Sequence, residues 1–467
     1  MSSAVRLGTR RTPRPRLALA AICMGFFMIL LDGSALNVAL PQVQRDMHGS
    51  LAAVQWVVNV YTVPLASLLL MAGSVADRAG AKRLFVYSLA GFTVASLVCA
   101  GSPTLAILVL ARAIQGVAAA GVLPTTLTLI ARMYVDPTAR ARAITLWGGT
   151  GGIALVAGPL GGGALSEAFG WRSIFLINIP FGVATVFLAH RYLSETPTRH
   201  APSNDLAGQA LVLLGLTSVV AALIQAGGSG WTAPVTVGLF AVAITSGLGF
   251  IAVERRTAHP MLPLRVFQSP PFTAAVLGGF AFQLGAYGLQ FVLALYLQNR
   301  WRYSPIDTGL VFAPFALCWV LGNVVLNRRL LHRGTRWLIT TGSAIAGAGA
   351  LLLLVVDNPS TVPALLGATM LVGAGCGMLA PSLNGVAVTS IDPAYAGLGS
   401  AILNTSRQAG MAIGVALLGS LMAITPTING LRGAITVIAL SFAAILLLTL
   451  RYIPRNPPPL PPPMPSR

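Results

Sequence analysis

Between residues 17 and 453 the chain is a succession of about fourteen apolar runs, at 17–40, 51–74, 84–102, 104–131, 143–166, 173–193, 207–227, 233–253, 271–298, 308–327, 337–356, 361–387, 398–424 and 433–453. A helix needs roughly 20 residues to cross the hydrocarbon core of a bilayer, and these runs are of that length. In lipid each segment must satisfy its own backbone hydrogen bonds, so such runs form helices. Only 9% of the 467 residues are charged, against about 25% in a soluble domain. The expected fold class is an all-α integral membrane protein.

The net charge of +19 could point to nucleic acid. That reading fails, because the basic residues fall between the apolar runs and not on one face. Their distribution orients the chain instead. With the N-terminus in the cytoplasm, 23 Lys and Arg residues lie on the inner side, and five (Arg45, Arg172, Arg300, Arg302 and Arg432) lie outside. This follows the positive-inside rule and puts both ends in the cytoplasm. The turn near Asp392 is the exception, an inner loop without a basic residue. Arg6, Arg10, Arg11, Arg14 and Arg16 precede a first run too long for a signal-peptide core, so it reads as a retained span. The Pro-rich end after residue 454 reads as extended polyproline. Ala, Gly, Arg and Pro are abundant and Lys82 is the lone lysine, the bias of a high-GC bacterial genome.

Cys23, Cys99, Cys318 and Cys376 all sit inside apolar runs with no metal-ligand spacing, so neither disulfide nor metal is expected. Gly148 to Gly152 reads GGTGG but lacks the Lys-Ser/Thr of a phosphate loop. With no nucleophile–base pair either, the chain reads as a non-enzyme without a cofactor.

The stretch LDGSALNVALP, from Leu31 to Pro41, places Asp32 inside the first run. Of eleven acids, it alone is well inside apolar surroundings. A carboxylate there is costly and usually functional. Burial disfavours the charged form, so Asp32 suits a group that takes up a proton in one conformation and releases it in another. An acid that only packs helices is the alternative. Arg112 and Arg407 are the cations inside runs; Arg keeps its charge, so each needs carbonyls, an acid or an anionic ligand. Gly158 and Gly162 permit close helix approach, and Pro159 between them permits a bend.

GSVADRAGAKR, from Gly73 to Arg83, resembles the cytoplasmic signature loop of the major facilitator superfamily, G-x-x-x-D-R-x-G-x-[KR]-[KR]. LDGSALNVALP, ARAIQGVAAAG (Ala111 to Gly121), GPLGGG (Gly158 to Gly163), WRSIFLINIPFG (Trp171 to Gly182) and NTSRQAGMAIGVALLG (Asn404 to Gly419) resemble stretches of its fourteen-span drug:proton antiporters. Ala154 stands where that branch usually has a Gly. The resemblance implies a major facilitator fold of two six-helix bundles, 17–193 and 271–453, with an extra helix pair at 207–253, a basic N-terminus at 1–16 and a cytoplasmic tail at 454–467. HRGTR (His332 to Arg336) stands where the second bundle would repeat RAGAK (Arg78 to Lys82), with Leu331 in place of Asp77.

The same resemblance implies a conformational latch at Gly73, Asp77, Arg78, Gly80, Lys82 and Arg83, an antiporter hinge at Gly158, Pro159 and Gly162, and proton coupling through Asp32 and Arg112. A roomy, mostly apolar substrate cavity is expected between spans one, two, four, nine, ten and thirteen. Its candidate lining is Asn37, Gln55, Asn59, Tyr61, Gln115, Gln283, Tyr287, Gln290, Asn404 and Arg407. The implied function is proton-coupled efflux of a hydrophobic or amphiphilic small molecule, an antibiotic or drug, across the bacterial plasma membrane by a monomer. The alternative is an exporter or facilitator of an endogenous metabolite or siderophore. The expected partners are the small molecule, protons and the bilayer, without nucleic acid.

Overall fold

The computed structural model describes residues 14–194, 205–257, 260–392, 395–424 and 428–455. Arg6, Arg10, Arg11, Arg199 and the Pro-rich tail lie outside the described residues. The elements are α1 (Pro15–Asp46), α2 (Leu51–Ala79), α3 (Ala81–Ala100), α4 (Leu105–Met133), α5 (Pro137–Phe169), α6 (Arg172–Leu176), α7 (Asn178–Tyr192), α8 (Leu206–Ser229), α9 (Pro234–Arg256), α10 (Pro270–Arg300), α11 (Pro305–Leu321), α12 (Asn327–Leu330), α13 (Thr335–Leu352), α14 (Val362–Thr389), α15 (Ala396–Ile424) and α16 (Ile428–Tyr452), with no strand among the described residues. Among the described residues, fourteen helical stretches are long and apolar enough to cross a membrane, the number the apolar runs give. The sixth is α6 with α7; the tenth is α11 and α12 joined by a π-helical turn at Gly322–Leu326.

Most helices overrun their apolar run. α1 continues through Pro41 to Asp46, and α5 starts at Pro137, six residues before the expected limit. The apolar run ends where lipid ends; the helix goes on to its cap. Asp136 caps α5 by accepting from Ala139 N at 2.7 Å, ahead of a Pro at the first helical position, and Ser304 and Asp307 form a reciprocal capping box on α11. Span six loses one hydrogen bond where Pro180 lacks the N–H that would reach the Leu176 carbonyl, while Ile177 between α6 and α7 keeps helical φ and ψ, −63° and −28°. α6 stops at Leu176 and α7 begins at Asn178.

Within the first six spans α1 packs on α5 and α2 on α4; within the last six, α10 packs on α15 and α13 on α14. The two sets meet where α5 crosses α11 and α2 crosses α15. α8 lies against both α2 and α15: Gln209 Nε2 donates to Ser67 O at 2.8 Å, and Ser420 Oγ donates to Leu223 O. α9 packs on α8 and exposes Val237, Ile244 and Leu248.

The two sets share a local geometry. Gly80 and Gly334 both take positive φ, +94° and +89°, in the turns before α3 and α13. Nineteen residues before each stand Tyr61 and Phe315. A Cβ on Gly116 of α4 would run into the Tyr61 carbonyl, and one on Gly373 of α14 would run into the Phe315 carbonyl. The same backbone-on-backbone crossing is thus made twice.

Candidate functional site

Asp32 and Arg112 meet inside the first six spans. Arg112 Nη1 donates to Asp32 Oδ2 at 2.5 Å and to Gln115 Oε1 at 2.9 Å, while Nε donates to Val57 O at 3.3 Å. Each of the two charged residues is 1% exposed. The guanidinium lies 4.2 Å from the centre of the Tyr61 ring and 5.8 Å from that of Phe175. A buried cation and anion compensate only when close and when their remaining valences are satisfied, and here neighbouring helices do that. Asn178 Nδ2 donates to Asp32 Oδ1 at 2.8 Å. Gln115 Nε2 donates to Ser96 Oγ at 2.7 Å, and Cys99 Sγ lies 3.4 Å from Gln115 Oε1. The result is one buried polar cluster drawn from α1, α2, α3, α4 and α7.

Asn178 and Ser96 were not among the sequence candidates. Pro180 is the signal that could have drawn attention to Asn178, because it removes a helix hydrogen bond beside it. Glu254 departs from the expectation that Asp32 alone among the acids is deep. It sits in the last turn of α9, 4% exposed, and its Oε1 accepts from Leu262 N at 3.2 Å.

The expected cavity residues divide. Gln115 and Tyr61 belong to the charged cluster. Gln55 Nε2 donates to Val415 O at 3.1 Å and Ala416 O at 2.8 Å, tying α2 to α15. Asn37 and Asn59 are buried with both side-chain polar atoms unpartnered among the described residues, and the Gln290 Nε2 likewise. Gln283 is buried at 8% exposed, and Tyr287 and Asn404 are half-buried. Arg407 Nη2 donates to Ala380 O at 2.6 Å, its guanidinium lies 5.6 Å from the Phe282 ring centre, and its Nε lacks a hydrogen-bond partner among the described residues. A buried polar atom left unpaired costs about 1–3 kcal/mol, so such a set suits a chamber that a ligand or water enters.

In the signature loop Gly80 makes the positive-φ turn, Gly73 has open space beside it, Arg78 and Lys82 are half-buried and Arg83 is exposed. Asp77 Oδ1 accepts from Arg132 Nη2 at 3.3 Å, so a residue of α4 pairs with the acid of the loop. The α5 glycines face two ways. A Cβ on Gly158 would collide with Ser34 Oγ, and one on Gly162 would lie 2.8 Å from Ala35 Cα, both on α1. A Cβ on Gly163 would lie 2.6 Å from Pro305 O, and Gly309 of α11 abuts the Pro159 carbonyl. Pro159 lies inside α5 without ending it. Near this end Gln298 Nε2 donates to Val38 O at 2.6 Å and Ile306 N donates to Glu167 Oε2 at 3.1 Å, so the first and last six spans are bonded to one another there.

The model of the Major Facilitator Superfamily matches residues 22–415 and, overlapping, 275–467. The chain belongs to that superfamily. It is similar to the methylenomycin A resistance protein of Streptomyces coelicolor, 32% identical over 96% of this chain and 92% of that protein. It is similar also to the puromycin resistance protein of Streptomyces alboniger, 35% identical over 87% and 82%, and to a multidrug efflux pump of Mycolicibacterium smegmatis, 33% identical over 88% and 82%. Among solved structures, a peptide transporter crystallised with sulfate aligns with a TM-score of 0.68 at 15% identity, over 93% of each chain. The human organic anion transporter MFSD10 aligns at 0.67 and 17% identity, over 94% of this chain and all of that one. These two carry the fold alone. The protein is therefore a multi-pass membrane transporter of a small molecule with the major facilitator architecture, and its location is the bacterial plasma membrane.

Proposed function

We propose that this protein exports an amphiphilic, uncharged or weakly acidic small molecule, an antibiotic or drug, in exchange for protons, with Asp32 as the proton carrier. The observation that carries the reading is the Asp32–Arg112 pair, 2.5 Å apart and closed off from solvent within the membrane-spanning helices. Protonating Asp32 removes one charge of a compensated pair and leaves Arg112 without its counter-ion. The cluster must then rearrange, which links a proton to conformation. Three relatives named for resistance or efflux support export as the direction of transport. Asp32 is set against Arg112 and Arg407, and the second buried acid, Glu254, is held apart in the last turn of α9, which disfavours a site dedicated to multivalent cations.

On this reading the end where α1, α5 and α10 finish faces outward and is shut, the opposite end opens to the cytoplasm, and exchange follows a rocking of one bundle against the other. Asn37, Asn59, Gln290 and Arg407 offer hydrogen bonds to the cargo, and the monomer is the working unit. The loop from Gly73 to Arg83 with Arg132 latches the cytoplasmic side when it closes.

The test uses everted membrane vesicles with an acid interior and a panel of antibiotics and dyes. A transported compound should partly collapse the pH gradient with wild-type protein and leave it intact with Asp32→Asn. A compound that is transported while the gradient stays untouched in wild type would instead identify a facilitator.

A further inference from the structure

The amide of Asn178 stands apart from the other polar groups near Asp32, because it sits in a turn of helix that lacks one backbone hydrogen bond. In span six Pro180 supplies no N–H to the Leu176 carbonyl, while the backbone stays helical through Ile177. α7 starts at Asn178 itself. From there Nδ2 reaches Asp32 Oδ1 at 2.8 Å, across the pairing of α1 with α7, and lies 3.5 Å from Ser96 Oγ on α3. Asn178 is 1% exposed, and its own Oδ1 has no hydrogen-bond partner among the described residues. The carboxylate is therefore gripped from both sides, Arg112 on Oδ2 and Asn178 on Oδ1.

We infer that Asn178 is a positioning residue that holds Asp32 as a carboxylate turned onto Arg112, and that the hydrogen bond missing at Pro180 lets this hold be released when span six moves. This rests on the reading of Asp32 as the proton carrier. The physical ground is that an amide N–H can donate to Asp32 in its charged form, and a hydrogen bond to a charged group is stronger than one to a neutral group. Losing the donor favours the protonated acid. The other titratable or charged groups of the cluster are Arg112 on α4, Tyr61 on α2 and Cys99 on α3; α7 contributes Asn178 alone. Arg112 sets the charge balance, whereas Asn178 acts on the carboxylate without adding or removing a charge.

The test uses Asn178→Leu, which fills the same space without a donor, in purified protein in lipid. The carboxylic-acid carbonyl band that is absent in Asp32→Asn is followed by infrared difference spectroscopy as pH is lowered. In Asn178→Leu the pH at which half of that band has appeared should rise by about one unit. Cargo exchange, weakened at neutral pH, should recover when the pH is raised by the same amount. A purely structural role would move neither reading, so an unchanged midpoint in folded Asn178→Leu overturns the inference while leaving Asp32 as carrier. Should wild type show no Asp32-dependent band at any pH, the carrier reading falls and this inference falls with it. If Asn178→Leu does not fold, Asn178→Ser, smaller and with a weaker reach, should give a shift of the same sign, and its absence counts equally against the inference.

Discussion

Arg112 is held by an acid, an amide oxygen, a backbone carbonyl and an aromatic face, all of them out of reach of water. Removing one member of such a buried pair costs about 3–5 kcal/mol, because the partner charge is left alone. Arg112→Leu should therefore lower the thermal unfolding temperature of the purified protein and abolish transport. Asp32→Asn also leaves Arg112 without its counter-ion and should lower the unfolding temperature, but it keeps the shape and an oxygen acceptor, so it should still fold while losing proton coupling. The double variant Asp32→Asn with Arg112→Leu should regain part of the stability lost in Arg112→Leu alone, since no charge remains buried in the cluster. Asp32 and Arg112 were legible in the sequence because a charge in an apolar run has so few benign explanations. Asn178 and Ser96 were not, because a neutral polar residue in such a run reads the same whether it packs helices or grips an acid. Asn178 lies 146 positions from Asp32, and nothing along the chain announces that contact.

Among the elements, α5 acts as a two-sided spacer whose glycines let α1 approach on one face and α11 on the other. An added methyl in a tight helix contact costs about 1–3 kcal/mol. Gly162→Ala, against Ala35 Cα, strains a contact within the first six spans and should lower stability as measured by thermal unfolding in detergent. Gly163→Ala, against the Pro305 carbonyl, strains a contact between the two sets of spans. It should leave the fold intact and loosen that end of the molecule. In a background without the four native cysteines, Asn37→Cys should then react faster with an impermeant maleimide in the presence of Gly163→Ala; an unchanged rate would mean this crossing is no seal. The glycines and Pro159 were visible as a motif, but the division of labour between the two faces of α5 depends on which helices cross it. The span count was legible because it is set by lipid thickness. The helix ends were not, because caps such as Asp136 and Ser304 lie beyond the apolar limit.

The whole molecule repeats one helix crossing twice and its charges once. Tyr61 and Phe315 meet Gly116 and Gly373 in matching crossings, yet in a register that places Gly116 on Gly373, Arg112 falls on Thr369, a buried residue hydrogen-bonded to the Leu366 carbonyl. The buried Asp32–Arg112 pair thus lies in the first six spans, while Arg407 and Gln290, whose Nε2 lacks a partner among the described residues, stand in the last six. At the signature loop, the Asp77–Arg132 pair is part-exposed, at 49% and 27%, and such a pair adds at most about 1 kcal/mol to stability. Asp77→Asn should therefore fold as wild type, and any loss of transport would reflect the balance between conformations. That is readable as a changed maleimide reactivity of Asn37→Cys. The repeat was faintly legible in RAGAK and HRGTR; the closed end where α1, α5 and α10 finish was not, because it is made of contacts between distant spans. The central claim is exchange of cargo for protons through Asp32, and proteoliposomes holding purified protein test it most directly. An outward-directed gradient of a cargo compound, with no initial pH difference, should drive protons the opposite way in wild type and drive none in Asp32→Asn. Equal proton movement in both would contradict the account and remove Asp32 from the coupling.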